Sequence, residues 1–254
     1  MMINIALIGT GYWGKKYISL FSKFKNINFE IMHGRDYKSI RNHIEGVIIC
    51  TPSNTHYQIA KFMLESNKDV LVEKPLSQNS FHVKELINLA NIKQKILMVG
   101  HIYMHDPQIY DLKDEIQDID LQEIYFKRLS NYKYKEPLWE LGIHDIYLNS
   151  FFLNSSNNKF IKSLCMNDHM FIHLKTGNIN SFIEVSTTYP KKTREIFFKG
   201  KRGEIFFEYK YNEKPSPLEN ELSHFIDCIK TRKKPITSGE DSLKTILTIE
   251  KILK

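Results

Sequence analysis

The sequence has little of several features that define other protein classes. It contains three cysteines, Cys50, Cys165 and Cys228, which are widely spaced and odd in number. They predict neither a disulfide framework nor a metal site, and they favour a reducing compartment, the cytoplasm. No apolar run approaches the ~18 residues of a membrane span, so we expect no membrane partner. The opening residues MMINIALIGTGYWG lack a basic leader, and their short apolar run predicts a strand rather than a signal peptide.

Charge of one sign is in modest excess. Lys and Arg number 36 against 29 Asp and Glu, which gives a net charge of +7. Such an excess can attract nucleic acid, a membrane or a phosphate-bearing ligand, but it also arises simply in a chain rich in lysine, asparagine and isoleucine. The basic clusters PKKTR, KGKR and KTRKK lie near turn signals and lack the regular aromatic interleaving that base stacking uses. We therefore expect no nucleic-acid partner.

The first half of the chain alternates short apolar runs with amphipathic segments. Strands are predicted at residues 3–8, 29–32, 46–50, 69–72 and 96–99, and helices at 14–24, 55–67 and 80–91. Continuous apolar strands that alternate with helices are typical of a parallel sheet covered on both faces.

From about residue 121 the pattern changes to alternating apolar and polar residues. This pattern is typical of an antiparallel sheet with one solvated face, and the sequences LKTGNI and KGKRGE predict hairpin turns. One helix is predicted at 139–153, and two more in the tail from residue 217, around a Pro/Gly turn. The prediction is an α/β protein with a Rossmann-like, doubly wound parallel sheet in residues 1–119. A second α/β domain with a mainly antiparallel open sheet would occupy 120–254.

A glycine motif follows the first predicted strand. IALIGTGYWGKKY places G-x-G-x-x-G at Gly9, Gly11 and Gly14. Gly9 permits the tight turn, Gly11 lets a pyrophosphate approach the backbone, and Gly14 allows close helix packing. The following helix N-terminus favours phosphate charge. We expect a dinucleotide here; the alternative is a glycine turn without a ligand.

The end of the second strand distinguishes NAD from NADP. A carboxylate at this position bonds the ribose 2′-hydroxyl of NAD, whereas a nearby arginine accommodates the 2′-phosphate of NADP. In FEIMHGRDY, Gly34 takes the acidic position and Arg35 follows it, which favours NADP. Asp36 would reverse this preference if the alignment were displaced by two residues.

Five ordered motifs give the sequence a family resemblance. The glycine loop is followed by CTPSNTHY, VLVEKPLS, MVGHIYMHDP and ELGIHD, and together with the tail they cover nearly the whole chain. In this order they resemble the Gfo/Idh/MocA oxidoreductases. The resemblance implies a Rossmann domain, an α/β domain whose open sheet mediates oligomerisation, and an NAD(P)-dependent reaction on sugars, sugar nucleotides or cyclitols.

The resemblance also assigns roles to individual residues. It implies that Lys74 is the catalytic lysine and that His144 is the histidine of the family's Asp-x-Gly-x-His pattern. His101 would lie near the nicotinamide and substrate, and Tyr103 is a weaker candidate for substrate contact. The predicted cofactor-binding residues are Gly9, Thr10, Gly11, Tyr12, Trp13, Gly14, Gly34, Arg35, Thr51, Pro52, Asn54, His56, Glu73 and Lys74.

The chain departs from the family pattern at several points. Glu140 stands where the family has Asp, and Tyr147 stands where a further Asp is common, while Asp145 directly follows His144. The segment between the second and third strands is too short for the strand and helix often found there.

The implied reaction interconverts a secondary alcohol and a ketone, which needs a hydride carrier and a proton shuttle. An imidazole titrates near neutral pH, and Glu140 and His144, four residues apart on a helix, share a face. A carboxylate there can fix the imidazole tautomer. Lys74 can stabilise alkoxide charge as an ammonium, or act as the base itself if burial lowers its pKa. An ordinary i,i+4 pair at Glu140 and His144, and a buried structural histidine at His101, are the alternatives.

The leading hypothesis is a cytoplasmic NAD(P)-dependent sugar oxidoreductase that forms a homodimer or homotetramer through its C-terminal sheet and uses no metal. Its substrate would be a nucleotide sugar or polysaccharide precursor, because LWELGIHDIYL resembles a variant found in relatives associated with polysaccharide synthesis. The alternative is a dinucleotide-binding redox sensor or assembly subunit with little or no turnover.

Overall fold

The structure, a computed structural model, describes residues 2–131, 136–210 and 215–254, and these form two sheets and seven α-helices. The strands are β1 (Ile3–Ile8), β2 (Ile27–Met32), β3 (Gly46–Ile49), β4 (Asp69–Glu73), β5 (Leu97–Gly100), β6 (Leu121–Asn131), β7 (Lys159–Met166), β8 (His169–Thr176), β9 (Ile179–Ser186), β10 (Thr188–Gly200) and β11 (Gly203–Glu208). The helices are α1 (Tyr12–Leu20), α2 (His56–Glu65), α3 (Ser80–Lys93), α4 (Pro107–Glu115), α5 (Ile143–Phe152), α6 (Pro217–Thr231) and α7 (Gly239–Ile252).

The chain divides into two compact units that are not continuous in sequence. The first contains Met1–His105 and Lys214–Leu243, and the second contains Asp106–Glu213 and Lys244–Lys254. This division differs from the single break predicted near residue 119. The reason is that α6 returns to the first unit, whereas α4 belongs to the second.

The first unit is built on a parallel sheet with strand order β2-β1-β3-β4-β5. All five predicted strands are confirmed, with ends within two residues of the prediction. β3 and β4 are buried along their whole length, as their uninterrupted apolar sequences predict. Only a short 3-10 turn, Tyr37–Ser39, connects β2 to β3. As the short sequence predicts, this connection, whose residues are all described, contains neither the additional strand nor the additional helix.

The predicted helices of the first unit are also confirmed. α3 begins where the side chain of Asn79 accepts hydrogen bonds from the backbone N–H groups of Phe81 and His82, and it ends at Gln94, whose φ is 53°. α2 buries Ile59 and Met63 and half-buries Phe62, which gives the predicted apolar face. These helices fix where each strand ends, and the strand ends carry the predicted site residues.

The second unit has a six-stranded sheet of order β11-β10-β6-β9-β8-β7. β6 and β9 are parallel and the other neighbours are antiparallel, so the sheet is mixed but mainly antiparallel, as predicted. Both predicted hairpin turns form: Gly177, with φ of +60°, separates β8 from β9, and two residues separate β10 from β11. The predicted extension of β6 through residues 132–134 lies outside the described residues.

An aromatic row crosses the solvent-facing side of this sheet. Cross-strand pairing aligns Phe206 with Phe197, Phe197 with Tyr125, and Tyr125 with Phe182. The rings of Tyr125 and Phe182 stack at 4.9 Å between centroids, and Phe206 is 63% exposed. Charged pairs flank this row, including the ion pairs of Lys127 with Glu184 and of Lys199 with Glu123.

The predicted helix 139–153 begins irregularly. A π-helical turn, Leu138–Gly142, leads into α5, and α5 is buried on nearly all sides. Among the described parts of the chain, no helix combines the length and apolar character that crossing a membrane requires. In the same ranges, no cluster of His, Cys, Asp or Glu side chains is arranged to hold a metal ion.

Candidate active site

The glycine turn closes tightly against the neighbouring strand. Gly9 has φ of +100°, and a Cβ there would lie 2.7 Å from the carbonyl oxygen of Cys50. A Cβ on Gly14 would lie 2.0 Å from the carbonyl oxygen of Gly9. Since neither position has room for a side chain, the fold of the turn itself requires both glycines.

Gly11 has open space beside it. Apart from Gly11 itself and its two chain neighbours, no described protein atom lies within 4 Å of the position that a Cβ on Gly11 would take. Gly11 is also the N-cap of α1, where no side chain caps the helix and no acidic residue occupies the first turn. The first N–H groups of α1 therefore face a space suited to an anion, and the residues present fit a dinucleotide pyrophosphate.

Aromatic side chains and a cation flank this turn. Tyr12 is 72% exposed, and Nζ of Lys16 lies 4.5 Å from the ring centroid of Tyr12 and 4.4 Å from that of Trp13. Such cation–π contacts contribute about 0.5–1 kcal/mol each at exposed sites. The predicted cofactor contacts of Thr10, Tyr12 and Trp13 stay predictions.

The residues after β2 lie beside the segment that follows β3. A Cβ on Gly34 would lie 3.0 Å from Cγ2 of Thr51, so a larger residue at this position would displace Thr51. Arg35 and Asp36 are both exposed. Because neither side chain is packed into the core, either one is accessible to a bound ribose, and the preference for NADP over NAD stays a prediction.

His56 joins two loops at the carboxyl edge of the sheet. Its Nδ1 lies 2.7 Å from the carbonyl oxygen of Pro75, and its Nε2 lies 2.8 Å from that of Thr51. Burial lowers the pKa of His56 and the nearby charge of Lys74 lowers it further, although the two carbonyl groups act in the opposite direction. Both ring nitrogens thus lie against backbone carbonyls, so His56 links Thr51, which follows β3, to Pro75, which follows β4. The predicted cofactor contacts of Thr51, Pro52, Asn54 and His56 stay predictions.

Glu73, Lys74 and Pro75 leave the sheet at the end of β4. Glu73 is only 7% exposed, whereas Lys74 is half-buried, and the Lys74–Pro75 peptide is cis. Burial raises the pKa of Glu73 to about 7, against the opposing effect of the Lys74 charge and backbone N–H. The predicted catalytic lysine therefore stands beside a carboxyl group that titrates near neutral pH.

His101 and Tyr103 follow β5, the neighbour of β4. Both side chains are buried, and burial together with the charge of Lys74 lowers the pKa of His101 to about 3. An imidazole with this pKa is neutral at physiological pH. Lys74 and His101 thus lie close together in the first unit, and the contacts of His101 and Tyr103 with a substrate stay predictions.

The remaining predicted residues, Glu140 and His144, belong to the second unit. His144 is buried in the first turn of α5, and Glu140 is half-buried in the preceding π-helical turn. Asp145 does not replace the missing family carboxylate, because Arg128 of β6 binds it. Nε of Arg128 lies 2.9 Å from both carboxylate oxygens of Asp145, and Nη2 lies 2.7 Å from Oδ1. This buried ion pair anchors the turn that carries His144.

Sequence reasoning missed two groups near these positions. Arg128 was missed because nothing in the alternating pattern of β6 distinguishes a buried arginine from an exposed one. Tyr17 and Glu221 were also missed. The Tyr17 hydroxyl donates a hydrogen bond of 2.5 Å to Glu221 across 204 positions of sequence. A tyrosine on the apolar face of α1 and a glutamate between apolar residues of α6 were the only available signals.

Comparison with known proteins matches part of the first unit to a family model. Residues 21–101 match the model of the Gfo/Idh/MocA oxidoreductase family, described as having an NAD-binding Rossmann fold. The oxidoreductase YdgJ of Escherichia coli is 34% identical over 85 residues, which are 33% of this chain and 25% of that protein. The UDP-N-acetylglucosamine 3-dehydrogenase of Acidithiobacillus ferrooxidans is 30% identical over 28% of this chain and 22% of its own length. The inositol 2-dehydrogenase of Rhizobium meliloti is 27% identical over 32% of this chain and 24% of its own.

Solved structures share the fold over the whole chain. KijD10, a 3-ketoreductase from Actinomadura kijaniata in complex with TDP-benzene and NADP, has a TM-score of 0.86 at 13% identity, covering 100% of this chain and 97% of its own. GenD2 from gentamicin A biosynthesis, in complex with NAD, has a TM-score of 0.86 at 14% identity, covering 99% and 93%. The matches to the three sequence relatives span about a quarter of each relative's length. The resemblance predicted from the motifs is confirmed for residues 21–101, which match the family model with its NAD-binding Rossmann fold, and the solved structures share the fold of the whole chain.

Proposed function

We propose that the chain is an NAD(P)-dependent oxidoreductase that interconverts a secondary alcohol and a ketone on a sugar, with a nucleotide sugar or polysaccharide precursor as substrate. The observation that carries this proposal is the open space beside Gly11 at an uncapped helix start. It supports dinucleotide binding at the carboxyl edge of the sheet, the edge at which Lys74 also leaves β4.

The choice of a sugar rests on the relatives. Those named for their activity include a UDP-N-acetylglucosamine 3-dehydrogenase, an inositol 2-dehydrogenase and a 3-ketoreductase crystallised with a TDP derivative. Each name refers to chemistry at a ring carbon that bears oxygen. Because the sequence matches cover about a quarter of the two dehydrogenases, they support the class of substrate and not its identity.

Lys74 is the residue we assign to the reacting oxygen. The nicotinamide ring, when bound, accepts or supplies the hydride. The ammonium of Lys74 would donate a hydrogen bond to the substrate oxygen and stabilise the negative charge that develops on it. Glu73, when ionised, stabilises that ammonium from the buried side of the strand end.

His144 and Glu140 keep their proposed roles as proton shuttle and positioning carboxylate. The support comes from their spacing and from the Arg128–Asp145 ion pair, which fixes the first turn of α5. A glutamate in place of the family aspartate extends the carboxyl by one methylene, and Glu140 is half-buried in the turn before α5.

We also propose that two copies of the chain associate through the aromatic row of the second sheet. Exposed aromatic rings in a row between charged pairs form a surface typical of protein interfaces. The family resemblance places oligomerisation on the same open sheet.

The test is a substrate screen with a matched variant. Sugar nucleotides and cyclitols are incubated with NAD⁺ and NADP⁺, and their keto forms with the reduced cofactors, while nicotinamide absorbance is followed. We expect turnover with at least one member, and a loss of about 10²–10³-fold in kcat for Lys74→Ala. Cofactor binding without any turnover would instead favour a redox sensor or assembly subunit.

A further inference from the structure

A set of buried titratable side chains in the first unit begins beside Lys74 and has no part in the hydride chemistry. Glu73 ends β4, Tyr17 lies on α1, Glu221 lies on α6, and His105 ends the 3-10 turn after β5. Tyr17 and Glu221 are 0% exposed, and Glu73 and His105 are 7% and 6% exposed. Four ionisable groups buried together are costly unless they share protons or hydrogen bonds.

Tyr17 connects the two carboxyl groups. Its hydroxyl donates a hydrogen bond of 2.5 Å to Oε1 of Glu221, and a hydrogen-bonding interaction with Tyr17 also acts on Glu73. Gly100, paired with Glu73 across the sheet, makes room for this carboxyl: a Cβ there would lie 3.3 Å from Oε2 of Glu73. The two glutamates are thus held on either side of one hydroxyl.

The second oxygen of Glu221 faces a histidine. Oε2 of Glu221 lies 3.9 Å from Nε2 of His105, and within the described residues neither atom has a hydrogen-bond partner. A buried polar atom without a partner costs about 1–3 kcal/mol. A proton on Oε2 of Glu221 directed at a neutral imidazole would provide both atoms with a partner after a movement of roughly 1 Å.

His105 continues the series towards the surface. The ring centroids of His105 and His224 are 5.4 Å apart, and His224 is half-buried, with its Nε2 accepting a 3.1 Å hydrogen bond from the backbone N–H of Ile236. The side chains therefore follow one another in the order Glu73, Tyr17, Glu221, His105 and His224, from a buried strand end to a partly exposed helix face.

The charge states along the path place a protonated carboxyl next to a neutral imidazole. Burial raises the pKa of Glu73 to about 7, and burial together with the Glu73 charge raises the pKa of Glu221 well above its ordinary value. Burial lowers the pKa of His105 to about 3. At neutral pH the carboxyl pair therefore holds at least one proton, on Glu221, next to a neutral acceptor. The other titratable groups that face the path include Lys16, Cys50, Lys74 and His101, and at the His224 end Asp227 and Cys228.

We propose that Glu73, Tyr17, Glu221 and His105 form a proton relay that connects Lys74 to His224. This inference rests on the proposed function, because alcohol oxidation releases a proton that must leave the site. In that direction Lys74 gives a proton to the Glu73 carboxylate. Tyr17 accepts it and passes its own hydroxyl proton to Glu221. Glu221 passes a proton from Oε2 to Nε2 of His105, and His105 passes one to His224. Each group gives up one proton for each that it accepts, and ketone reduction uses the reverse order.

The first test needs no substrate. Infrared spectra of the full chain at pH 7 distinguish a protonated carboxyl from a carboxylate. We expect a protonated carboxyl signal in the wild type that Glu221→Gln diminishes and Glu219→Gln retains. Glu219 lies on the same helix and forms an ion pair with Lys23 at the surface. A wild type without this signal, or a signal that Glu221→Gln leaves unchanged, would overturn the relay.

The second test separates proton transfer from structural support. A glutamine at 221 keeps an oxygen to accept the Tyr17 hydrogen bond but cannot carry a proton. We expect Glu221→Gln to lower kcat by about 10–100-fold and to increase the solvent deuterium isotope effect, with the KM for the dinucleotide unchanged. If the wild type turns over substrate and Glu221→Gln does so equally well, the relay is overturned but the proposed function is not. If the wild type does not bind a dinucleotide, both the proposed function and the relay's role in it are overturned.

Discussion

Glu73 gives the end of β4 a charge that changes within the physiological pH range. Its carboxyl is buried, and its pKa is about 7 in the folded chain against an ordinary value of 4.5. The neutral form is therefore favoured by folding. Its stabilising contribution is complete below the ordinary pKa and is lost as pH rises towards 7.

This sign leads to a prediction for Glu73→Gln. A glutamine does not ionise, so only the wild type loses stability as the pH rises through this range. The free energy of unfolding of the variant minus that of the wild type should therefore increase by about 2–3 kcal/mol between pH 5 and pH 8. Urea denaturation at the two pH values measures the difference. Glu65→Gln, the same change on an exposed side chain at the end of α2, serves as the control. A relative stability of Glu73→Gln that is independent of pH would contradict the assignment.

Arg35 is the residue on which the choice of cofactor depends. If its guanidinium binds the 2′-phosphate, Arg35→Ala should weaken NADPH binding roughly 10–100-fold and leave NADH binding unchanged, since a hydrogen bond to a charged group contributes about 1.5–3 kcal/mol. Isothermal titration with both cofactors measures this ratio. Lys38→Ala, an exposed cation three residues later, controls for general electrostatic attraction. Equal loss for both cofactors would exclude phosphate recognition by Arg35.

At the scale of secondary-structure elements, a buried ion pair fixes α5 to β6. Arg128 and Asp145 are 4% and 1% exposed. Asp145→Asn leaves the buried guanidinium without a counter-charge, and such a loss typically costs about 3–5 kcal/mol. We expect this destabilisation in chemical denaturation, together with loss of activity, because the same turn carries His144.

Asp120→Asn provides the comparison for this prediction. Asp120 pairs with Lys201 at the surface, with both side chains exposed, and exposed pairs contribute about 0–1 kcal/mol. If the two variants lose the same stability, the Arg128–Asp145 pair does not have the structural role assigned to it.

The elements that the sequence predicted best are those with local signals. β1 follows directly from the apolar run Ile3–Ile8, and the turn after it follows from Gly9 and Gly14, whose missing side chains the packing requires. Asn79 marks the start of α3 by a side-chain cap. Each of these features is decided within a few residues of chain.

The parts that could not be predicted depend on contacts between distant residues. Tyr17 and Glu221 are 204 positions apart, and neither residue type signals its partner. The π-helical turn before α5 lies in a sequence that has ordinary helical spacing. The return of α6 to the first unit likewise depends on long-range packing, because no break in composition separates it from the sheet that precedes it.

At the scale of the whole molecule, the aromatic row predicts self-association. Phe206→Lys places a charge on the row at a position that is 63% exposed, so the monomer should fold normally while association weakens at least about tenfold. Sedimentation velocity across a concentration series measures this change. Phe81→Lys makes the same substitution at a 70% exposed position on α3 and should leave association unaltered. A wild type that stays monomeric, or equal effects of both variants, would exclude this surface.

The central claim is that the chain binds a nicotinamide dinucleotide at its glycine turn, and a calorimetric titration of Gly11→Ala tests it most directly. Apart from residue 11 and its two chain neighbours, the added methyl group meets no described protein atom within 4 Å, so the variant should fold like the wild type. It would occupy the space assigned to the pyrophosphate. We predict that the wild type binds NADPH or NADH and that Gly11→Ala weakens this binding at least about tenfold with an unchanged melting temperature. Absence of binding by the wild type, or equal binding by the two proteins, would contradict the account.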